Sequence, residues 1–245
     1  MLDVQSLSKL YGDFPAVQGL TFAVAAGEVL GLVGPNGAGK TTTLRSLAGI
    51  LAPSAGRIVI AGHDLAREPL LAKAALAFIP DEPQLFDYLT VEEHLRFVGR
   101  LYGVSDAVER IGPLLEEMEL TPKRHTLASQ LSRGMKQKLA IGCGLLHRPG
   151  LLLLDEPLTG LDPGGIRRMK STISTRAREG TAVVLSSHLL HLVEELCTRV
   201  LILHNGRLVA LGTVSEIVVG RPNLEGHGLE DIFLALTGGE GPAGS

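Results

Sequence analysis

Several protein classes are excluded by what this sequence has little of. Its 245 residues include no tryptophan, only two cysteines and 4% aromatic residues. Cys143 and Cys197 lie far apart in the chain and outside any short metal-binding spacing. A disulfide framework is therefore excluded, and a reducing intracellular compartment is expected.

Long apolar runs and an excess of positive charge are also missing. The best candidate for a membrane span, residues 20–33, is interrupted by Gly27, Glu28 and Gly31 and is shorter than the ~20 apolar residues required. The first residues lack the basic and apolar segments of a signal peptide. Lys and Arg total 23 against 26 Asp and Glu, whereas nucleic-acid-binding domains usually carry a strongly basic face. We therefore expect neither a membrane span nor a nucleic-acid partner.

The remaining composition is typical of a folded protein. Hydrophobic residues make up 45% of the chain and charged residues 20%, which excludes intrinsic disorder for its body. The length predicts one large domain or two small ones, with enough buried surface for a full core.

Strand and helix patterns alternate along most of the chain, which predicts an α/β fold. Residues 29–33 are apolar on both faces, as a buried parallel strand is, and residues 151–154 and 181–186 are predicted as further strands. After residues 29–33, apolar residues recur at helical spacing. Farther along the chain, Asp162-Pro163 is a strong helix start. Such alternation predicts a mostly parallel sheet.

Two stretches depart from this alternation. The first 33 residues hold short strands, and a further short strand is predicted over 57–60. Residues from about 84 to 148 carry three helical patterns, the first opened by a capping box at Thr90, and are predicted to be an inserted helical subdomain. We expect one domain over 1–220 and a short C-terminal extension over 221–245 that ends in a loose tail at 238–245.

A phosphate-binding loop is predicted between the strand at 29–33 and the helix that follows. Residues 34–41 match G-x-x-x-x-G-K-[ST] in full, which makes an ordinary glycine-rich turn the weaker reading. Glycines let backbone N–H groups curve around phosphate oxygens, and the helix adds the positive end of its dipole. Lys40 is expected to reach the β- and γ-phosphates, and Thr41 to ligate Mg²⁺. The predicted nucleotide contacts in this segment are Gly34, Pro35, Asn36, Gly37, Ala38, Gly39, Lys40, Thr41 and Thr42.

Two adjacent carboxylates directly follow the strand at 151–154. Ligands of open α/β sheets bind outside the carboxyl ends of the strands, so Asp155 and Glu156 are placed to meet the same nucleotide. Asp155 is predicted to hold Mg²⁺, and Glu156 to orient and deprotonate the attacking water. Two solvated acids in a loop are the alternative reading.

The segment upstream of these carboxylates resembles a known signature. Residues 130–137, Gln-Leu-Ser-Arg-Gly-Met-Lys-Gln, resemble the L-S-G-G-Q signature of ABC ATPases. In that family the stretch opens a helix and caps the γ-phosphate of ATP held by a second subunit. The resemblance implies that Ser132 supplies a hydroxyl group and Gly134 a backbone N–H.

Other markers of that family follow in the expected order. Asp162 lies in a segment similar to the D-loop, His188 resembles the switch histidine, and Tyr11 resembles the aromatic residue that stacks on adenine. The resemblance covers about residues 2–215. It implies a P-loop NTPase core with a mostly parallel sheet, an N-terminal antiparallel β-subdomain, an inserted α-helical subdomain, and ATP and Mg²⁺ as ligands.

The chain departs from the family pattern at two places. Arg133 and Met135 replace a glycine and the glutamine of the signature. Asp81 stands where the family has a glutamine that touches Mg²⁺ or its water, and Gln84 lies three residues later. Asp81 is retained as a candidate Mg²⁺ ligand. These variants, with the ending at 229–234, resemble the branch that includes drug, antibiotic and lipid exporters.

The resemblance implies specific partners and a location. One phosphate loop and one signature in the chain imply a two-fold pair, either a homodimer or a pairing with a similar ATPase subunit. The expected function is ATP hydrolysis coupled to export through a separate polytopic membrane permease, at the cytoplasmic face of the plasma membrane. A soluble assembly module without transport and an ATP-binding pseudo-enzyme are the alternatives.

Overall fold

The protein is built from two β-sheets flanked by helices. The computed structural model describes residues 1–219 and 226–238, so the predicted domain boundary at 220 and most of the predicted tail lie outside the described residues. The strands are β1 (Leu2–Tyr11), β2 (Phe14–Val24), β3 (Val29–Val33), β4 (Ala55–Ile60), β5 (His63–Asp64), β6 (Leu76–Ile79), β7 (Leu151–Asp155), β8 (Ala182–Ser186), β9 (Arg199–His204) and β10 (Arg207–Gly212). The helices are α1 (Lys40–Leu47), α2 (Pro69–Ala74), α3 (Val91–Leu101), α4 (Ala107–Glu117), α5 (Arg133–Leu145), α6 (Pro163–Arg178), α7 (Leu190–Leu196), α8 (Val214–Val218) and α9 (Leu229–Thr237).

The larger sheet confirms the predicted parallel core. Its strand order is β10-β9-β3-β8-β7-β6, and every neighbouring pair is parallel except β10 with β9. Strands β3, β7 and β8 are buried along their whole length, which explains their continuous apolar sequences. Leu32 of β3 and Asp155 of β7 both pair with Ser186 of β8, so these three strands end at one edge.

The smaller sheet confirms the predicted N-terminal antiparallel subdomain and extends it. Its order is β2-β1-β4-β5, with antiparallel pairing throughout. Strands β4 and β5 bring residues as far as Asp64 into it, and the strand predicted over 57–60 lies within β4. Sequence patterns identify strands but do not say which sheet a strand joins.

The inserted helical subdomain lies between β6 and β7, as predicted. Helices α3, α4 and α5 form it, and Thr90 caps α3 as the sequence indicates: its Oγ1 accepts from the Glu93 N–H, while the Glu93 carboxylate accepts from the Thr90 N–H. Helix α2 was not predicted, because its six residues lack an apolar stripe and expose Leu70 and Leu71. No helix within 1–219 or 226–238 has the length and apolar character needed to cross a membrane.

Part of the predicted C-terminal extension belongs to the core. Helix α9 packs against α7, and its residues Leu229, Ile232 and Phe233 are fully buried in the hydrophobic cluster on one face of the larger sheet. The backbone N–H of Leu229 also donates to the Glu194 carboxylate.

A buried carboxylate ties the helical subdomain together. Glu92, at the start of α3 and 8% exposed, accepts hydrogen bonds from the guanidinium groups of Arg124 (2.6 and 2.8 Å) and Arg96 (2.7 and 2.9 Å). These donors, Arg124 first, lower the pKa of Glu92 to about 2 although burial opposes the shift. The backbone of Glu92 also donates to the Arg124 carbonyl, so the cluster joins α3 to the segment that leads to α5.

We expect Glu92→Gln to lower the free energy of unfolding by about 1–3 kcal/mol at neutral pH, because two arginine side chains exchange a buried carboxylate for a single neutral amide oxygen. The folded pKa lies below the unfolded value, so this contribution is complete above about pH 4.5 and is lost as pH falls toward 2. Urea unfolding at several pH values measures it. The exposed Glu116→Gln is the control, with a change below about 0.5 kcal/mol; equal losses in the two variants would contradict the assignment.

Candidate active site

The phosphate-binding loop is held by close backbone contacts on both sides. It runs from the end of β3 to the start of α1, and Gly37 and Gly39 adopt left-handed φ values of 80° and 102°. A Cβ at Gly39 would lie 2.5 Å from the Ala16 carbonyl oxygen, and one at Gly34 would lie 2.5 Å from that of Leu203. The sequence therefore needs glycine at both positions to fold the loop against β2 and β9.

The N-terminus of α1 is suited to an anion. Its N-cap is Gly39, which offers no side-chain acceptor, and its first turn contains no acidic residue. The first N–H groups of the helix are thus left without a capping side chain at the positive end of the dipole. These observations fit a nucleotide phosphate as the ligand of the loop.

Lys40 places a positive charge inside the same loop. The residue is 9% exposed, and its Nζ donates to the carbonyl oxygens of Gly34 (2.6 Å) and Pro35 (3.2 Å). Burial lowers the pKa of Lys40, whereas the charges of Glu156 and Asp155 oppose that shift. The ammonium group is therefore held ready for phosphate oxygens by the loop's own carbonyls.

Two hard oxygen donors meet beside Lys40. The Thr41 hydroxyl donates to Asp155 Oδ1 at 3.3 Å, and the buried Ser186 hydroxyl donates to the same oxygen at 2.7 Å. No group of three or more His, Cys, Asp or Glu suited to a metal ion occurs in the described part of the chain. Thr41 and Asp155 fit Mg²⁺, which is usually bound through one or two protein oxygens together with phosphate and water.

Glu156 is held in an unusual backbone conformation. Its φ is +48°, a left-handed value that costs a non-glycine residue on the order of 1–3 kcal/mol. The Ser186 hydroxyl accepts from the Glu156 N–H at 3.0 Å. On its side chain, Oε2 accepts from His188 Nδ1 at 2.8 Å and from the His188 N–H at 3.3 Å. The predicted base and the predicted switch histidine therefore contact each other directly.

The loop lines one side of a cavity of about 370 Å³. Two exposed aromatic residues at the tip of the β1–β2 hairpin, Tyr11 and Phe14, lie on its rim. Phe14 is not among the residues predicted from the sequence; its signal is a second aromatic residue directly across the hairpin turn from Tyr11. The lining residues are Tyr11, Phe14, Ala16, Asn36, Gly37, Ala38, Gly39, Lys40, Thr41, Thr42 and Glu156.

The signature residues do not line this cavity. Ser132 caps α5 by accepting from the Met135 N–H, and Asp162 caps α6 by accepting from the Gly165 N–H at 2.7 Å. Gly134 packs against Gly160 so closely that a Cβ there would lie 2.9 Å from the Gly160 carbonyl oxygen. The signature and the D-loop segment thus form a second surface, separate from the phosphate loop of the same chain.

Asp81 lies beside the signature. Its Oδ1 accepts from the Arg133 guanidinium at 3.2 Å, and both side chains are about half exposed. The sequence suggests the Asp81 carboxylate as a further Mg²⁺ ligand, and in the structure this carboxylate is paired with Arg133. A role of Asp81 at the metal stays a prediction.

Comparison with known proteins agrees with this geometry. The family model described as ABC transporter matches residues 17–159. The Nod factor export ATP-binding protein I of Paraburkholderia xenovorans is 39% identical over 89% of this chain and 72% of its own length. The linearmycin resistance ATP-binding protein LnrL of Bacillus subtilis is 35% identical over 89% of this chain and 70% of its own.

A solved structure shares the whole fold. The ATP-binding subunit of an ABC transporter superposes with a TM-score of 0.92 and is 38% identical, covering 96% of this chain and 99% of that one. The match extends from the antiparallel sheet through the helical subdomain, so it includes every segment that positions the site. Together, the family match and these relatives show that this chain belongs to the ABC transporter family and is an ATP-binding, ATP-hydrolysing subunit of that family.

Proposed function

We propose that this subunit works as one half of an ATP-driven clamp that powers export through a separate membrane permease. Two subunits close around two ATP molecules, and hydrolysis opens them again. The partner subunit is a second copy or a similar ATPase, and the pair lies on the cytoplasmic face of the plasma membrane. The names of two relatives, linearmycin resistance and Nod factor export, support the direction of transport.

The observation that carries this proposal is the separation of the two surfaces within one chain. The cavity at the phosphate loop contains Lys40 and Glu156 but neither Ser132 nor Gly134. A single chain thus offers one face that holds a nucleotide. A second face, at the start of α5, is available to cap the nucleotide of another subunit. Two-fold symmetry satisfies both faces at once, because each copy completes the site of the other.

The chemistry follows from the positions of the side chains. The N–H groups of the phosphate loop and Lys40 bind the phosphates, and Mg²⁺, when bound at Thr41 and Asp155, neutralises phosphate charge. Glu156 accepts the proton of the attacking water, since its carboxylate reaches the cavity from a fixed backbone. His188 orients that carboxylate through Oε2.

The permease is proposed to dock on the helical subdomain. Apolar and aromatic side chains between the end of β6 and α4 stay exposed there. They are Phe86, Tyr88, Phe97, Leu101 and Tyr102. Phe86 and Phe97 pack edge to face at 5.4 Å, so part of this docking surface is already ordered.

Replacing Glu156 by Gln should reduce phosphate release about 10²–10⁴-fold, because the general base is lost. ATP binding should persist, and the variant should accumulate as a dimer in ATP and Mg²⁺. Phosphate release and light scattering measure these outcomes. The exposed Glu116→Gln serves as the control and should behave as the parent does. Turnover by the Glu156 variant at the parental rate would rule out its role as the base.

Tyr11→Ala and Phe14→Ala should each weaken ATP binding about fivefold or more, since stacking on a base contributes about 1–3 kcal/mol. Binding of inorganic tripolyphosphate, which has no base, should not change. Calorimetric titration with the two ligands measures the difference. Equal losses for ATP and tripolyphosphate would show that the hairpin acts on the loop rather than on adenine.

The transport proposal is tested by co-expressing this chain with candidate polytopic membrane proteins. Co-expression with its permease should yield a complex. A double variant with Tyr88→Ser and Leu101→Ser should no longer form this complex, while the ATPase activity of the free subunit stays unchanged. Leu70→Ser, at an 83% exposed leucine on α2 outside the docking surface, is the matched control. Co-purification with ribosomes or DNA instead would favour the assembly-module alternative.

A further inference from the structure

The two departures from the family pattern contact each other. Asp81 replaces the glutamine expected after β6, and Arg133 replaces a glycine of the signature. These residues are 52 positions apart, and their side chains form an ion pair at 3.2 Å. Each substitution taken alone lacks an explanation, whereas the contact accounts for both.

Arg133 is also in contact with the D-loop segment. Its side chain passes over Gly160, where a Cβ would lie 3.2 Å from Arg133 Cδ and 3.4 Å from Nε. The neighbouring Gly134 packs on the Gly160 carbonyl as well. The arginine therefore lies between the segment after β6 and the loop that precedes Asp162.

The position of Arg133 favours a negative partner for its charge. It is the first residue of α5, where a cation is unfavourable at the positive end of the helix dipole, and the first turn of α5 contains no acidic residue. Asp81 supplies the missing negative charge from outside the helix.

We propose that Asp81 is a positioning residue that acts through Arg133 and not through Mg²⁺. Its carboxylate holds the guanidinium against Gly160 and so fixes the start of α5, including Ser132 and Gly134, for the nucleotide of the opposite subunit. Because Asp81 lies two residues after the end of β6 and precedes the docking surface, the pair also links that surface to the signature. The inference rests on the proposed closure of two subunits around ATP.

A double-mutant cycle tests the proposal. Asp81→Asn and Arg133→Gln should each lower kcat/KM about three- to tenfold, and the double variant should be no worse than either, because both remove one interaction. In the Glu156→Gln background, the same changes should raise the ATP concentration needed for half-maximal dimer formation. ATP binding to the dilute monomer should stay at the parental value.

Magnesium dependence separates the two roles of Asp81. If Asp81 were a ligand of Mg²⁺, Asp81→Asn would raise the Mg²⁺ concentration needed for half-maximal activity with either Arg or Gln at position 133. Such a result would overturn the proposal. Additive losses in the double variant, or parental activity in both single variants, would overturn it too. Glu82→Gln, an exposed acid in the same segment, is the matched control and should match the parent.

Failure of this inference is distinguishable from failure of the proposed clamp. If the parent hydrolyses ATP and Glu156→Gln forms an ATP-dependent dimer, these results support the proposed clamp. The double-mutant cycle then tests the role of Asp81 alone. Thermal unfolding of the variants guards against a structural cause, because a half-exposed ion pair contributes little to stability.

Discussion

The shared edge at which β3, β7 and β8 end is the constraint on which the site depends. Parallel pairing fixes the register, so Leu32 and Asp155 both lie beside Ser186. The phosphate loop leaves β3 at this edge, the carboxylates leave β7, and His188 follows β8. Helix α1 begins there without a side-chain cap, and its residues Lys40 and Thr41 line the same cavity as Glu156.

Ser186 connects the catalytic groups at that edge. Its buried hydroxyl donates to Asp155 and accepts from the backbone of Glu156, and so links the carboxylate proposed to bind Mg²⁺ to the proposed base. The strained φ of Glu156 is tolerated because this bond and the contact with His188 hold the residue from two sides. The strain thus lies at the residue proposed as the general base, and its support comes from the neighbouring strand.

Much of this arrangement follows from the sequence, and the rest depends on tertiary contacts. Residues 29–33 predict β3 because a buried parallel strand is apolar on both faces, and 34–41 predict the loop because only glycines permit its close approaches. Phe14 escapes prediction because its pairing with Tyr11 is recognised only once the hairpin turn between the two residues is known. The pairing of Asp81 with Arg133 could not be inferred either, since distance along the chain does not reveal contact across the fold.

Mixing two inactive subunits tests the shared site most directly. One subunit carries Lys40→Ala in the phosphate loop, and the other carries Gly134→Asp in the signature. Each alone should be inactive, whereas an equal mixture should recover about one quarter of parental ATPase activity, since half of the dimers are mixed and each holds one complete site. Absence of any recovery in mixtures that still dimerise would contradict the account, because it would place the whole site within one chain.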